Sequence, residues 1–215
     1  MAAREAIRRT PRTTLQDTVT AVAMMCVRPT TSTAGVLHRA KRGYSDEAMG
    51  YTVRQARTRD VQVIRTLIDQ NVGSGRLLDK HTVNLYEDIL EFCVAESSAD
   101  GSVVGCGALH VMWEDLAEIR TVAVDASLRG KGIGHLIIDE LLDRARAVGV
   151  ARVFCLTFAV NFFARHGFAE IFGTPVAPEV YAELLRSYDD GVAEFLELDR
   201  VKPNTLGNTR MLLRL

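Results

Sequence analysis

Apolar residues recur along this chain with two periods, and the changes between them predict its elements. Thr52-Val53-Arg54-Gln55-Ala56 alternates apolar and polar positions, the pattern of a half-buried strand. Val61, Ile64, Leu67 and Ile68 then fall three and four apart, one face of a helix, with Thr58 as its expected cap and Asn71 to Gly75 as its end. A second, short helix is predicted from Thr82 to about Ile89. Two strands follow, Glu91 to Glu96 and Ser102 to about Trp113. Asp100-Gly101 between them signals a tight turn, so they should pair as an antiparallel hairpin. Another strand, Ala117 to Val124, runs into a glycine-rich loop. Beyond the loop, Ile133, Leu136, Ile137, Leu141, Leu142 and Ala145 share a face of a helix expected from about Gly132 to Ala147. Arg152 to Thr157 is nearly continuous in apolar residues, as a buried strand reads. Phe162 to His166 reads as a short helix stopped by Gly167. The stripe Val180, Leu184 and Leu185 suggests a helix at about 179–188, whereas Val192 to Leu198 has no decisive period. Lys202-Pro203-Asn204 reads as a turn, and Thr209 to Arg214 as a closing strand.

This order predicts a mixed α/β (α+β) domain with helices on both faces of a sheet. Residues 1–48, rich in Thr, Ala and Arg, have no sustained period and are expected to form a disordered extension, with Met49 as an alternative beginning. The folded domain is then 49–215. With the whole chain 47% hydrophobic and 25% charged, the core needs neither staples nor metal. Charge changes the picture more. Residues 1–48 carry eight basic and four acidic side chains, which leaves 18 and 23 beyond, a net of −5 against −1 for the whole chain. Such a domain has no general attraction for nucleic acid, and a polyanion must be gripped by a local device. Four widely spaced cysteines without a Cys-x-x-Cys pair read as reduced core thiols in a cytoplasmic protein with no metal site. No apolar run reaches the roughly 18–20 residues that span a bilayer, so no membrane association is expected.

The local device is Arg129-Gly130-Lys131-Gly132-Ile133-Gly134, where a strand hands over to a helix. Glycines let backbone approach a ligand, and the unpaired amides of a helix's first turn attract negative charge. Arg129 and Lys131 add cations. A dinucleotide fold would place a glycine where His135 stands, and a nucleotide P-loop would need Gly-Lys-Ser/Thr after four intervening residues. Neither pattern fits this diphosphate cradle.

Ile119-Arg120-Thr121-Val122-Ala123-Val124-Asp125 followed by that loop resembles the acetyl-CoA signature of the GNAT superfamily of N-acetyltransferases, and Phe162-Phe163-Ala164-Arg165-His166-Gly167-Phe168 is similar to its second block. The resemblance implies a twisted, mostly antiparallel mixed sheet. It also implies acetyl-CoA held by Val122, Ala123, Val124 and the run Arg129, Gly130, Lys131, Gly132, Ile133, Gly134 and His135. Gly105 to His110, Ala117-Glu118-Ile119, Leu156-Thr157-Phe158 and the tail Val201 to Leu212 are similar to short bacterial N-acetylglutamate synthases that lack a kinase-like domain. That likeness implies acetyl transfer to the α-amine of L-glutamate, the first step of arginine synthesis, with L-glutamine as a second acceptor.

Amide formation from a thioester needs a neutral amine, a polarised carbonyl and a proton for the departing thiolate. In GNAT relatives, main-chain amides of the strand before the loop meet the thioester and pantetheine, which assigns Val122 and Val124, with Val122 as polariser. Strand alternation puts Glu118, Arg120 and Val122 on one face, and the resemblance gives Glu118 the general base's part. Many relatives carry a tyrosine where this chain has Phe163, which cannot donate a proton; Tyr188, Thr157 or water stand as alternatives. Arginines hold carboxylates bidentately, so Arg54, Arg120 and Arg210 are acceptor candidates, with His110, Lys202, Asn208 and Thr209 beside them. The long connection from Gly173 to Asn208 could carry specificity or pack a homodimer. Two rival functions keep the fold: acetylation of another small amine or a peptide N-terminus, and a non-catalytic acyl-CoA sensor.

Overall fold

The computed structural model describes residues 50–72, 81–198 and 208–215. The extension at residues 1–48, Lys202 and the turn at Lys202-Pro203-Asn204 lie outside them. Strand β1 is Tyr51–Gln55, followed by helices α1, Val61–Val72, and α2, Thr82–Glu87. Strands β2 (Phe92–Ser97) and β3 (Val103–Trp113) form the expected antiparallel hairpin. Next come β4 (Leu116–Val124), α3 (Ile133–Ala147), β5 (Arg152–Thr157) and α4 (Val160–Ala164). A two-residue strand β6 (Ala169–Glu170), helices α5 (Pro178–Leu184) and α6 (Asp190–Phe195), and β7 (Thr209–Arg214) complete the order.

The seven strands form one sheet in the order β1-β2-β3-β4-β5-β7-β6. Every pairing is antiparallel except β4 with β5. Three clusters cover its faces. On one face, Leu109, Ala117, Ile119 and Val153 pack under Ile137, Ile138 and Leu141 of α3. On the other, α1 and α2 cover Phe92, Val94, Cys106 and Ala108, while α5 and α6 cover Met112, Leu116, Phe154 and Leu212. A stretch of β3 and β4 lies between those two clusters, and its side chains are His110, Glu118 and Arg120.

Three details depart from the sequence reading. A 3-10 turn, Thr58–Asp60, precedes α1, and the cap is the Asp60 carboxylate, which accepts the Arg57 amide at 2.8 Å, rather than Thr58. The ambiguous stretch after 190 is helical, because Val192, Ala193, Phe195 and Leu196 bury themselves on Phe154 and Leu116. Most consequential, β4 does not alternate to its end. Ala108 pairs with Arg120 but Cys106 pairs with Ala123, so β4 carries one extra residue, and Thr121 sits there at φ 58°. This is a β-bulge. It turns Val122 onto the α3 face, where its side chain joins the cluster of Ile119 and Ile133. The expectation that Val122 shares a face with Glu118 and Arg120 is therefore corrected, since a bulge resets the period of two.

Gly105 and Gly107 seat α3 on the sheet. A Cβ at Gly107 would stand 2.6 Å from Ile137 Cγ2 and 3.1 Å from Leu141 Cδ1. Only a bare backbone lets the helix come this close, and the seating fixes where the helix N-terminus meets the end of β4. Gly107→Val should overpack this contact and cost about 1–3 kcal/mol. The expected result in urea denaturation is a lower midpoint with an unchanged slope; a wild-type midpoint would mean that the helix tolerates a side chain there.

Candidate active site

The site exists because β4 and β5 part. Their ladder spans Leu116↔Arg152, Ala117↔Val153 and Glu118↔Phe154 and then stops. Beyond it a cleft of about 850 Å³ opens, with Ile119, Arg120, Thr121, Val122 and Val124 on one wall and Leu156 to Ala159 on the other. Asp125 donates its amide to Val104 O on the β3 side. Amides alternate sides along a strand, so those of Val124 and Val122 turn to the edge that faces the gap. Main-chain donors therefore line the cleft where the sheet is unpaired.

The glycine loop closes one end. Gly130 and Gly132 adopt φ 84° and 83°, values that glycine reaches without strain, and Gly132 in this left-handed conformation starts α3. His135 and Leu136 return their amides to Gly132 O. Among the described residues the amides of Gly130, Gly132, Ile133 and Gly134 have no backbone acceptor. With the dipole of a 15-residue helix behind them, these unpaired amides make a concentration of positive potential suited to an anion. Arg129 is exposed but tied to the end of α1 through Asn71 Oδ1 at 2.8 Å. Lys131 does not line the cleft, whereas His135 does. The His135 ring lies 4.7 Å from that of Phe162, and its Nδ1 is 2.7 Å from His166 Nε2. Burial, with His166 and Arg165 nearby, lowers its pKa.

At the point of parting stands a cluster of charges. Arg120 donates from Nη1 to Asp189 Oδ2 at 2.8 Å and from Nη2 to Glu91 Oε2 at 2.9 Å. His110, directly opposite Glu118 on β3, bonds Glu91 Oε1 through Nδ1 at 2.6 Å. Burial alone would lower the His110 pKa, but the bond to Glu91 and the field of Asp189 outweigh it and raise it. Glu91 and Asp189 both titrate below the usual range: burial opposes this, and the His110 and Arg120 contacts overcome it. Glu118 is different. It is 4% exposed, 3.9 Å from Arg120 Nη1, and its Oε2 has no hydrogen-bond partner among the described residues. Burial pushes its pKa up to about 7, with Arg120 pulling down and Asp189 and Glu194 pushing up. A carboxylate poised near neutrality with a vacant lone pair can accept a proton from an ammonium or amine.

The structure brings together Glu118, Arg120 and His110. Thr209 opens β7 opposite Thr157, which lines the cleft, and Asn208 precedes it. It does not bring in Arg54 or Arg210. Arg54 on β1 is held by Asp60, at 2.7 Å, and by Glu96. Arg210 bonds Glu197 and the carbonyls of Phe195 and Gly173, and lies over the ring of Phe154 at 5.7 Å, so it clamps α6 to β7. Of the hydroxyls weighed as proton donors, Thr157 faces the cleft, its oxygen accepting the Ala159 amide at 2.9 Å, whereas Tyr188 is 94% exposed. Phe163 is a buried ring packed edge-on to Phe168. Sequence reasoning missed Glu91, Asp189 and Gly191. Asp189 and Gly191 fall between the predicted helix at about 179–188 and the undecided stretch from Val192, and no local signal says that they fold onto Glu118. Among the described residues, no group of three or more His, Cys, Asp or Glu could hold a metal ion, and no helix is long and apolar enough to cross a membrane.

Comparison with known proteins agrees with this geometry. The acetyltransferase (GNAT) family profile matches residues 76–168. An amino-acid acetyltransferase of Mycobacterium tuberculosis is 61% identical over 162 residues, 75% of this chain and 92% of that protein. The crystal structure of Rv2747 from the same organism, in complex with CoA and NLQ, superposes with a TM-score of 0.73 at 61% identity, covering 76% of this chain and 99% of that one. N-acetylglutamate synthase of Neisseria gonorrhoeae, complexed with coenzyme A and N-acetyl-glutamate, gives a TM-score of 0.61 at 25% identity over 77% of this chain and 35% of its own. The chain belongs to the acetyltransferase (GNAT) family. It is an acyltransferase enzyme with that family's fold.

The Glu118 pKa has a consequence for stability. The folded state raises it from about 4.5 to about 7, so between those values the native protein binds a proton that the unfolded chain has released. Stability contributed at low pH is therefore lost as pH rises through this window. Glu118→Gln removes the loss. Relative to wild type, the variant should gain on the order of 3 kcal/mol at pH 8 over its relative stability at pH 4. Urea titrations at the two pH values measure this; an equal offset at both would mean that Glu118 titrates normally.

Proposed function

We propose that this enzyme transfers the acetyl group of acetyl-CoA to the α-amine of a small amino acid, L-glutamate, with L-glutamine as a second acceptor, as the first step of arginine biosynthesis in the cytoplasm. The observation that carries this reading is Glu118: a buried carboxylate with a free oxygen and a pKa of about 7, set beside Arg120 where the sheet opens. The names of the relatives support it, since the Mycobacterium tuberculosis protein is an amino-acid acetyltransferase and the Neisseria gonorrhoeae enzyme is an N-acetylglutamate synthase.

Acetyl-CoA supplies an activated thioester; the chain's own residues do the rest. The amides of Gly130, Gly132, Ile133 and Gly134 hold the diphosphate, with Arg129, Lys131 and His135 beside it. Val122 and Val124, with Ala123 between them, present main-chain donors along the parted edge, and the Val122 amide polarises the carbonyl. Glu118 takes the proton of the acceptor amine. Arg120 binds the acceptor carboxylate as a two-pronged donor, with His110 beside it on β3, and Asn208 and Thr209, at the start of β7 opposite Thr157, are the further acceptor contacts. Thr157 has an oxygen already engaged with the Ala159 amide, which leaves its hydroxyl proton to support the departing sulfur.

An enclosed base beside a guanidinium favours a free amino acid over a peptide N-terminus, which would need an open groove. The ionisable Glu118 likewise favours turnover over passive acyl-CoA sensing. Thiol release from acetyl-CoA across a panel of amines separates the three. Turnover with L-glutamate or L-glutamine is expected, and release no faster than background with every amino acid would rule out the enzyme assignment. Glu118→Gln should reduce kcat by about 10²–10⁴, leave CoA affinity unchanged and remove the rise of rate through pH 7. Wild-type kinetics in that variant would remove Glu118 as the base.

The cradle makes a separate prediction. Gly132 sits at φ 83°, where a β-branched side chain is strained and its Cβ would crowd the approach to the amides. Gly132→Val should abolish CoA binding in calorimetry while the protein stays folded by circular dichroism. Retained affinity would locate the diphosphate elsewhere.

A further inference from the structure

The acceptor side of the site is covered. Leu184, at the end of α5, and Val192, in α6, are both buried in the third cluster, and the segment 185–191, a turn that leads into the first two residues of α6, runs between these anchors. Its far end is held further by Phe195, packed edge-on to Phe154 at 5.1 Å. Outward the turn shows Leu185 and Tyr188 to solvent. Inward it presents two groups. The Asp189 carboxylate holds Arg120 Nη1 at 2.8 Å and stands 3.8 Å from His110 Nε2. Gly191 lies so tightly on the base that a Cβ there would be 2.2 Å from Glu118 Oε2.

Two blocks follow from this one turn. Glu118 is screened, because the cleft is lined by Arg120 but not by Glu118. Arg120 is also occupied, because one of its Nη groups is bound by Asp189 and the other by Glu91. A base that no amine reaches, beside an arginine whose two Nη groups are both engaged and whose only unpartnered donor among the described residues is the buried Nε, cannot serve an acceptor as it stands. Among the described residues, the ion pairs that tie the turn to the sheet run through Asp189.

We propose that the segment 185–191, the turn and the start of α6, is a carboxylate-exchange gate: Asp189 occupies on Arg120 Nη1 the place of the acceptor's α-carboxylate, and exchange of one for the other frees that donor and lifts the start of α6, with Gly191, from Glu118. The inference rests on the amino-acid reading above and adds to it the device that admits the substrate. Opening without an acceptor would leave a half-buried guanidinium short of a partner, which is costly. Opening with one replaces an ion pair by another of the same kind. An amine without a carboxylate cannot make the exchange, so the gate selects amino acids over simple amines before any chemistry occurs.

Cys93, Cys106 and Cys155 are buried, so in a Cys26→Ser background Tyr188→Cys can be labelled with a polarity-sensitive fluorophore on the turn itself. With CoA present, L-glutamate or L-glutamine should change the fluorescence saturably, while butylamine should not. Calorimetry on the same protein keeps the two proposals apart. Acceptor binding without a fluorescence change overturns the gate and leaves the proposed reaction standing; no binding by any amino acid overturns both. Asp189→Asn keeps the Oδ1 that accepts the Val192 amide at 3.0 Å but removes the charge on Arg120. Acceptor binding should tighten about tenfold, the scale of one charge-assisted hydrogen bond no longer competed for, with CoA affinity unchanged. Weaker acceptor binding would make Asp189 a substrate contact and end the proposal.

Discussion

Everything in this active site depends on a ladder that stops early. Parallel strands β4 and β5 share three residue pairs and then diverge, and divergence leaves backbone donors without partners in the middle of a sheet. Unpaired main-chain groups in a protein interior are expensive, so such a gap persists only where something else meets them. Here the cost sits beside a second local strain, Thr121 at φ 58°, of the kind that adds roughly 1–3 kcal/mol. The bulge and the parting act together: one re-aims the amides of Val122 and Val124, and the other clears the space in front of them.

The same break organises the charges. One face of β3 and β4 is apolar under α1 and α2 at one end and under α5 and α6 at the other. His110, Glu118 and Arg120 occupy the interval. Each charge there is answered by another, and Glu91 and Asp189 bind hard enough to titrate low. Glu118 stands apart, buried without a bond to its second oxygen. Burial and partners thus push chemically identical groups apart, Glu91 and Asp189 downward and Glu118 upward, the separation expected where one carboxylate is to hold charge and another to exchange a proton.

Elements with strong periodic signals were legible from sequence nearly to the residue. The closing strand 209–214, the hairpin around Asp100-Gly101 and the helix after the glycine loop all rest on local patterns, and the structure repeats them. The shape of the glycine loop was legible for the same reason, because its glycines and helix start are contiguous. What failed was non-local. Alternation placed Val122 with Glu118, but a single extra residue in β4 reversed it, and a bulge has no reliable mark in Thr121-Val122-Ala123. Arg54 and Arg210 were drawn in as free cations, yet each is spent on partners far along the chain, Glu96 and Glu197 among them. The acidic partners of Arg120 come from positions 91 and 189, on opposite sides of it in sequence, and no spacing rule links them.

The position of β7 carries one more consequence. Although it is formed by residues 209–214, it lies inside the sheet, between β5 and β6. During synthesis, β5 must therefore wait with an open edge until that segment has cleared the ribosome, a few tens of residues after the rest of the sheet. Folding of the domain cannot be completed vectorially from its N-terminal side, and the interval leaves an apolar strand edge exposed to neighbouring chains.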